Sequence, residues 1–247
     1  MGRVPMLEGR ALARITCHGK NLVLHTDDGT AVRAHRRMTG AWSLTPQAPT
    51  TLEGVDLALD VGDTWVVARD MPVLEFLRPG GFARHPGLRA LGPDLLGLTL
   101  RPDGPEPLAV PDLDEAVLRA GQVPARPVHA VLLDQRVACG LGNVYKSELL
   151  FLHGLDPWRT AGSLSQAAWR ALYEQGRELL IANTRPGRRT TRGDGRTGAT
   201  WVYGRAGRPC LRCGTPVRLH PGEGPLPRRT EWCPRCQPDD TDAAAVR

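Results

Sequence analysis

Apolar and polar residues alternate with a period of two over residues 10–70 and recur at helical spacing over residues 112–183. In the first region RALARITCH, NLVLHT and TAVRAHRRM alternate, with turn signals at His18-Gly19 and Asp27-Asp28-Gly29. An Asp-Gly pair between two alternating runs predicts a hairpin. Residues 56–60 and 64–69 read as further strands joined by Gly62-Asp63. Short strands at this spacing predict a small sandwich or barrel. Residues 71–111, rich in proline and glycine, read as irregular connections that end at a boundary near residues 110–112.

Beyond that boundary the period changes. Residues 112–120 open with acids and continue with apolar spacing, which predicts a short helix, and residues 127–134 predict another. The glycine-rich turn Cys139-Gly140-Leu141-Gly142-Asn143 feeds a helix over residues 144–153, with Val144, Ser147, Leu150 and Phe151 on one face. Ser163 and Ser165 are candidate caps for a long amphipathic helix through Ala182. Residues 187–199 are too polar and glycine-rich to pack and read as a mobile loop.

Composition adds little until charge is mapped. At 247 residues, 41% hydrophobic and 23% charged, the chain resembles an ordinary soluble protein of one large or two small domains. No apolar run reaches the ~20 residues of a membrane helix, and the N-terminus has no secretory hydrophobic region, so a cytoplasmic protein without membrane contact is expected. Lys20 and Lys146 are the only lysines among 32 basic residues. Residues 185–237 carry 12 arginines against Asp194, Glu223 and Glu231, a net +9 in a chain whose total is +6. Such a segment reads as a polyanion-binding element, with a merely solvated arginine-rich face as the alternative.

The same segment holds two Cys-x-x-Cys pairs, Cys210/Cys213 and Cys233/Cys236, separated by 19 residues. Each pair places two thiolates on one tight turn, and together they supply the four soft ligands of one tetrahedral structural Zn2+. Two disulfides are the alternative. The lack of a secretory signal and the isolation of Cys17 and Cys139 argue against them. A closed four-cysteine site leaves no open position, so the zinc would stabilise a fold rather than perform chemistry.

The line LLDQRVACGLGNVYKSELLF resembles the helix–two-turn–helix element of the formamidopyrimidine-DNA glycosylase / endonuclease VIII family. VYGRAGRPCLRCGTPV followed by RRTEWCPRCQ resembles that family's C-terminal zinc finger, and HGKNLVLHTDDG and AHRRMTGAW resemble two strands of its N-terminal β-sandwich. The resemblance covers residues 7–237 and is nearest to the actinobacterial endonuclease VIII-like branch. It implies an α+β protein: a truncated N-terminal β-sandwich over residues 1–111, a helix–two-turn–helix domain over 112–199, a four-cysteine zinc finger over 200–237 and a disordered tail over 238–247. It also implies a monomer acting in base-excision repair on double-stranded DNA with a damaged base or abasic site. Such enzymes flip the damaged nucleotide out of the stack and cleave as glycosylase and AP lyase.

Site residues carry over by position. Lys20 matches the sandwich lysine that contacts phosphate beside the lesion and donates a proton in β-elimination; a plain surface lysine is the alternative. Asn143 matches the asparagine that holds flanking phosphates at a helix N-terminus, where unpaired N–H groups favour an anion; a plain helix cap is the alternative. Arg228, five residues before Cys233 and next to Arg229, matches the zinc-finger arginine that clamps phosphate and is linked to δ-elimination. Met38 matches a residue that wedges into the gap left by the flipped base, or is a core methionine. The arginine and aromatic wedge partners of some members have no match in residues 70–84.

One departure concerns the nucleophile. The resemblance implies an N-terminal Pro-Glu pair whose secondary amine attacks the sugar, followed by a helix and a strand before the lysine. Here Lys20 comes 19 residues after Met1, Met6-Leu7-Glu8-Gly9 has no proline, and Pro5 is internal, so its nitrogen is an amide. Two readings follow: a bifunctional DNA glycosylase and AP lyase whose Pro-Glu segment is missing from this start, and a DNA-binding, lesion-recognising remnant. These 247 residues as they stand are expected to bind abasic duplex DNA while excising and nicking barely above background. A zinc-ribbon transcription factor would explain the cysteines but not residues 132–151.

Overall fold

The structure, a computed structural model, describes residues 7, 9–97, 99–101, 104–105, 110–184, 188–193, 198–222 and 227–239. Three sequence readings fall partly outside them: residues 6 and 8 of the Met6–Gly9 segment, residues 187 and 194–197 of the 187–199 loop, and residues 240–247 of the acidic tail. The chain divides into two compact units, Met1–Ala90 with Gly97–Ala109, and Leu91–Leu96 with Val110–Arg247. No described helix is long and apolar enough to cross a membrane.

The first unit is a β-sandwich built from β1 (Leu12–His18), β2 (Asn21–Thr26), β3 (Ala31–His35), β4 (Ala41–Thr45), β5 (Val55–Asp60), β6 (Trp65–Arg69) and β7 (Val73–Leu77). Two short helices, α1 (Gly81–Arg84) and α2 (Pro86–Arg89), precede β8 (Thr99–Arg101) and β9 (Gly104–Pro105). One sheet runs β7-β3-β2-β1-β8-β9 and the other β4-β6-β5. Alternation places Leu22 and Leu24 of β2, Val32 and Ala34 of β3, and Leu57 and Ala68 of the smaller sheet in one core with Met71. The expectation of irregular chain over residues 71–111 is corrected here. VLEFL forms β7, paired with β3 from Ala31↔Leu77 to His35↔Val73. Flanking Pro72 and Pro79 hid the strand, and an edge position is where proline-bounded strands belong.

The second unit contains α3 (Leu113–Gly121), α4 (Val128–Leu133), α5 (Asn143–Leu152) and α6 (Gln166–Ala182), then the hairpin β10 (Arg218–His220) and β11 (Thr230–Trp232). Asp112 caps α3 by accepting from the Glu115 N–H at 2.9 Å. Ser165, not Ser163, caps α6, accepting from Ala168 N–H at 3.2 Å. Ser163 lies in a 3-10 turn, where its hydroxyl donates to the Thr160 carbonyl. Leu132, Leu141, Leu149, Leu150, Trp169 and Tyr173 form the helical core, each at most 2% exposed. The reading of 187–199 as too polar to pack also fails at Thr191, which is 6% exposed and donates its hydroxyl to Glu148.

The segment 91–96 braces the glycine turn that leads into α5. Gly92 N–H donates to Gln135 O at 2.9 Å, Cys139 N–H to Pro93 O at 2.9 Å, and Leu95 N–H to Cys139 O at 3.1 Å. A Cβ on Gly92 would lie 2.3 Å from the Val137 oxygen and 2.6 Å from its carbonyl carbon. Backbone cannot swing aside as a side chain can. Gly92→Ala should therefore destabilise the second unit by about 2–3 kcal/mol, read as a lower urea midpoint at unchanged slope.

Candidate nucleic-acid interface and metal centre

In the first unit the two matched residues lie at one end of the larger sheet. β1 and β2 turn through Gly19 and Lys20, with His18 opposite Asn21 and Gly19 at φ 60°. The antiparallel register then brings the C-terminal end of β3 alongside, and Arg33 Nε donates to Asn21 Oδ1 at 2.9 Å. Lys20 is exposed, and its charge is felt by His35 at the end of β3. Burial, with Arg33, Lys20 and Arg37 adding to it, holds His35 below its ordinary pKa.

Met38 stands on the turn that follows. It is 85% exposed, which removes the core-methionine alternative; the core position belongs to Met71 at 9%. Arg37 adopts φ 45°, a left-handed conformation for a non-glycine residue. Its N–H donates to His35 Nδ1 at 3.0 Å, and Arg36 Nε donates to Gly40 O at 2.6 Å. An apolar side chain is thus held out to solvent on a turn fixed at both ends.

In the second unit the glycine turn delivers α5 with a bare N-terminus. Gly140 has φ 116°, which favours glycine, and its N–H donates to Gln135 Oε1 at 3.2 Å. The Gln135 amide in turn donates to Leu133 O and Leu141 O, at 2.9 and 3.1 Å. The N-cap is Gly142, so no side chain accepts from the first-turn N–H groups. Asn143 therefore does not cap this helix; it is the first helical residue. Its Oδ1 is buried without a hydrogen-bond partner among the described residues. Arg189 lies over the Tyr145 ring at 5.3 Å and brings another cation to the first turn.

The arginine pair before Cys233 separates into two roles. Arg229 is half-buried and engaged: its guanidinium lies 4.7 Å from the Tyr203 ring centre and 3.6 Å from Glu231 Oε2. Arg228 is exposed and forms no ion pair with a described residue. Lys146, one helical turn after Asn143, donates from Nζ to Arg229 O at 2.8 Å and to Thr230 Oγ1 at 2.7 Å. The α5 first turn and the arginine strand are thereby neighbours.

Cys210, Cys213, Cys233 and Cys236 converge, all four sulfurs lying within 4.8 Å of one another. Sulfur–sulfur distances are 3.9 Å for Cys210–Cys236 and 3.4 Å for Cys213–Cys233. A metal with ~2.3 Å bonds to four tetrahedral thiolates needs sulfurs about 3.8 Å apart, so the four donors fit a metal ion. A disulfide needs ~2.05 Å, so neither pair is a disulfide.

Several residues that build this site carried no signal in the sequence. Lys146, Ser147 and Glu148 are consecutive on α5 and each 0% exposed. The Glu148 carboxylate accepts from the N–H groups of Trp201, Val202 and Tyr203 at 2.7, 2.9 and 2.8 Å. Glu231, 2% exposed, accepts from Gly204 N–H at 2.6 Å. Only the contacts reveal these roles, because a Lys-Ser-Glu run on a helix normally faces water.

This arrangement has known counterparts. Residues 104–193 match the formamidopyrimidine-DNA glycosylase H2TH domain. The probable endonuclease 8 2 of Streptomyces coelicolor is 41% identical over 94% of this chain and 80% of its own length. The DNA-(apurinic or apyrimidinic site) lyase Nei2 of Mycolicibacterium smegmatis is 36% identical over 94% of this chain and 84% of its own. The crystal structure of the MutM (Fpg) protein from Thermus thermophilus superposes with TM-score 0.69 at 30% identity, covering 96% of this chain and 89% of that one. The chain belongs to the formamidopyrimidine-DNA glycosylase / endonuclease VIII family of base-excision repair glycosylases and AP lyases. The expectation of a binding-only chain turns on residues 1–6 and 8, which lie outside the described residues.

A buried histidine ties this unit's stability to pH. His129 on α4 packs edge-on to Trp158 at 5.9 Å, and Trp158 packs against His220 and Trp232. Burial, with the charges of Lys146 and His220 added, pushes His129 down to about 4 from 6.5. The unfolded chain therefore takes up a proton that the folded one refuses. The resulting stability is complete above pH 6.5 and is lost as pH falls towards about 4. Urea unfolding should show stability declining across that window, with a shallower decline in His129→Gln; equal slopes would contradict the assignment.

Proposed function

We propose that this chain grips duplex DNA at a damaged or abasic site and serves base-excision repair as a DNA glycosylase and AP lyase. The observation that carries the reading is the N-terminus of α5: a glycine N-cap with no capping side chain, Asn143 beside it, and the exposed Arg228 on the adjacent segment that leads into β11. First-turn N–H groups and the positive end of the helix dipole favour an anion, and a guanidinium matches a phosphate with two parallel bonds. Asn143 and Arg228 then hold backbone phosphates around the extruded nucleotide. Arg228 is in addition assigned to δ-elimination.

On the sandwich, Lys20 takes the phosphate beside the lesion and the proton-donor role in β-elimination. Met38 fills the gap in the stack, which its held-out position suits. Lys146 is not the attacking amine, since it is 0% exposed and committed to two acceptors. The four cysteines hold one Zn2+, which closes the ribbon carrying Arg228 and has no part in bond breaking.

Two measurements test this reading. Asn143→Ala and Arg228→Ala should each weaken affinity for a duplex with an abasic-site analogue by roughly 1–3 kcal/mol, and wild-type binding should fall steeply with salt. Unchanged affinity in either variant would remove that residue from the interface. Purified protein should carry one zinc per chain, and chelation should unfold the ribbon and abolish binding, because the metal supplies most of the folding free energy of so small a module. Folded, DNA-binding protein free of zinc would overturn the metal assignment.

A further inference from the structure

We propose that Lys146 is a positioning residue that presents Arg228 to the DNA, an inference that rests on the DNA-gripping role proposed above. A fully buried lysine loses its hydration and the freedom of a long side chain, so its contacts should show why it is kept. Both of its hydrogen bonds go to the two residues that follow Arg228: the Arg229 carbonyl at 2.8 Å and the Thr230 hydroxyl at 2.7 Å. Desolvation, with Arg228 and Arg229 adding to it and Glu231 opposing, lowers the amine to about 7.

The Arg228 backbone is also fixed from a second side. A Cβ on Gly222 would lie 2.5 Å from the Arg228 nitrogen and 2.8 Å from its carbonyl carbon, so the two backbones are in close contact. Arg228 thus has a clamped backbone and an exposed side chain, whereas its neighbour Arg229 is spent on Tyr203 and Glu231. Lys146 sits three residues after Asn143 on the same helix, so α5 supplies one phosphate ligand and aims the other. Lys146 itself, at 0% exposure, touches no phosphate.

A residue that acts only on stability would weaken binding whether or not Arg228 is present. A positioning residue acts through Arg228 and loses its effect without it, which a double-mutant cycle separates. Lys146→Met and Thr230→Val should be made singly and each in an Arg228→Ala background, then titrated by fluorescence anisotropy against a duplex carrying a tetrahydrofuran abasic analogue. Each single change should weaken binding about tenfold, and less than about twofold when Arg228 is already absent. Thr230→Val removes one acceptor while leaving the lysine in place, so it carries the test by itself where Lys146→Met fails to fold. Undiminished losses in the Arg228→Ala background, or no loss from either single change, would overturn the inference. A wild-type chain with no affinity for this duplex would sink the proposed function and this inference together. A wild-type chain that binds, with losses that multiply, sinks this inference alone.

Discussion

Three consecutive polar side chains on α5 hold the ribbon to the helical body, and the placement of Arg228 and of the four-cysteine ribbon depends on them. Lys146 takes the arginine strand, the Ser147 hydroxyl accepts from Glu231 N–H at 3.5 Å, and Glu148 takes the chain at residues 201–203. A buried carboxylate is costly unless its lone pairs are used, and those of Glu148 are shared among three backbone N–H groups and the Thr191 hydroxyl. The chain at residues 201–203 is thereby tied to α5. Phe151, one turn further along α5, completes the attachment by joining Val202, Val217 and Cys233 in the ribbon core.

This explains how a module with almost no apolar run can be positioned with precision. A ribbon of four cysteines and short strands has too little core to fix its own orientation. The helix supplies what the ribbon lacks, through buried charged side chains whose partners are mostly backbone groups, with the Thr191 and Thr230 hydroxyls beside them. Arg212 extends the same contact from the ribbon side, its guanidinium 4.4 Å from the Phe151 ring centre. Gln237 closes the far end, accepting from Cys233 N–H at 3.0 Å and donating to Leu155 O at 2.9 Å.

Local patterns made much of this legible in the sequence. Period-two alternation located β1, β2, β3, β5 and β6, helical spacing located α3 to α6, and cysteine spacing located the metal ligands, because each is a short-range rule. What escaped depends on distant partners. VLEFL is a strand only because β3 offers it a ladder, and Thr191 packs only because Glu148 receives its hydroxyl. The difference between Arg228 and Arg229 is likewise invisible in RRTEWC, since it is Tyr203 and Glu231 that engage one arginine and leave the other exposed.

The cap of α5 shows how stability and binding divide the same atoms. Serine, threonine or aspartate at position 142 would satisfy a first-turn N–H and stabilise the helix by about a few tenths of a kcal/mol over glycine. That side chain would also occupy the place that the proposed phosphate contact needs, and an aspartate would repel the anion. Glycine gives up the cap and leaves the N–H groups without a side-chain acceptor. The turn compensates by other means, with Gln135 bridging Leu133, Gly140 and Leu141 from beneath and Gly92 packed against the backbone at residues 136–137. Rigidity is thus supplied from behind the helix end rather than at it. A phosphate would find donors already aligned, so binding carries less of the ordering cost that a flexible loop would impose.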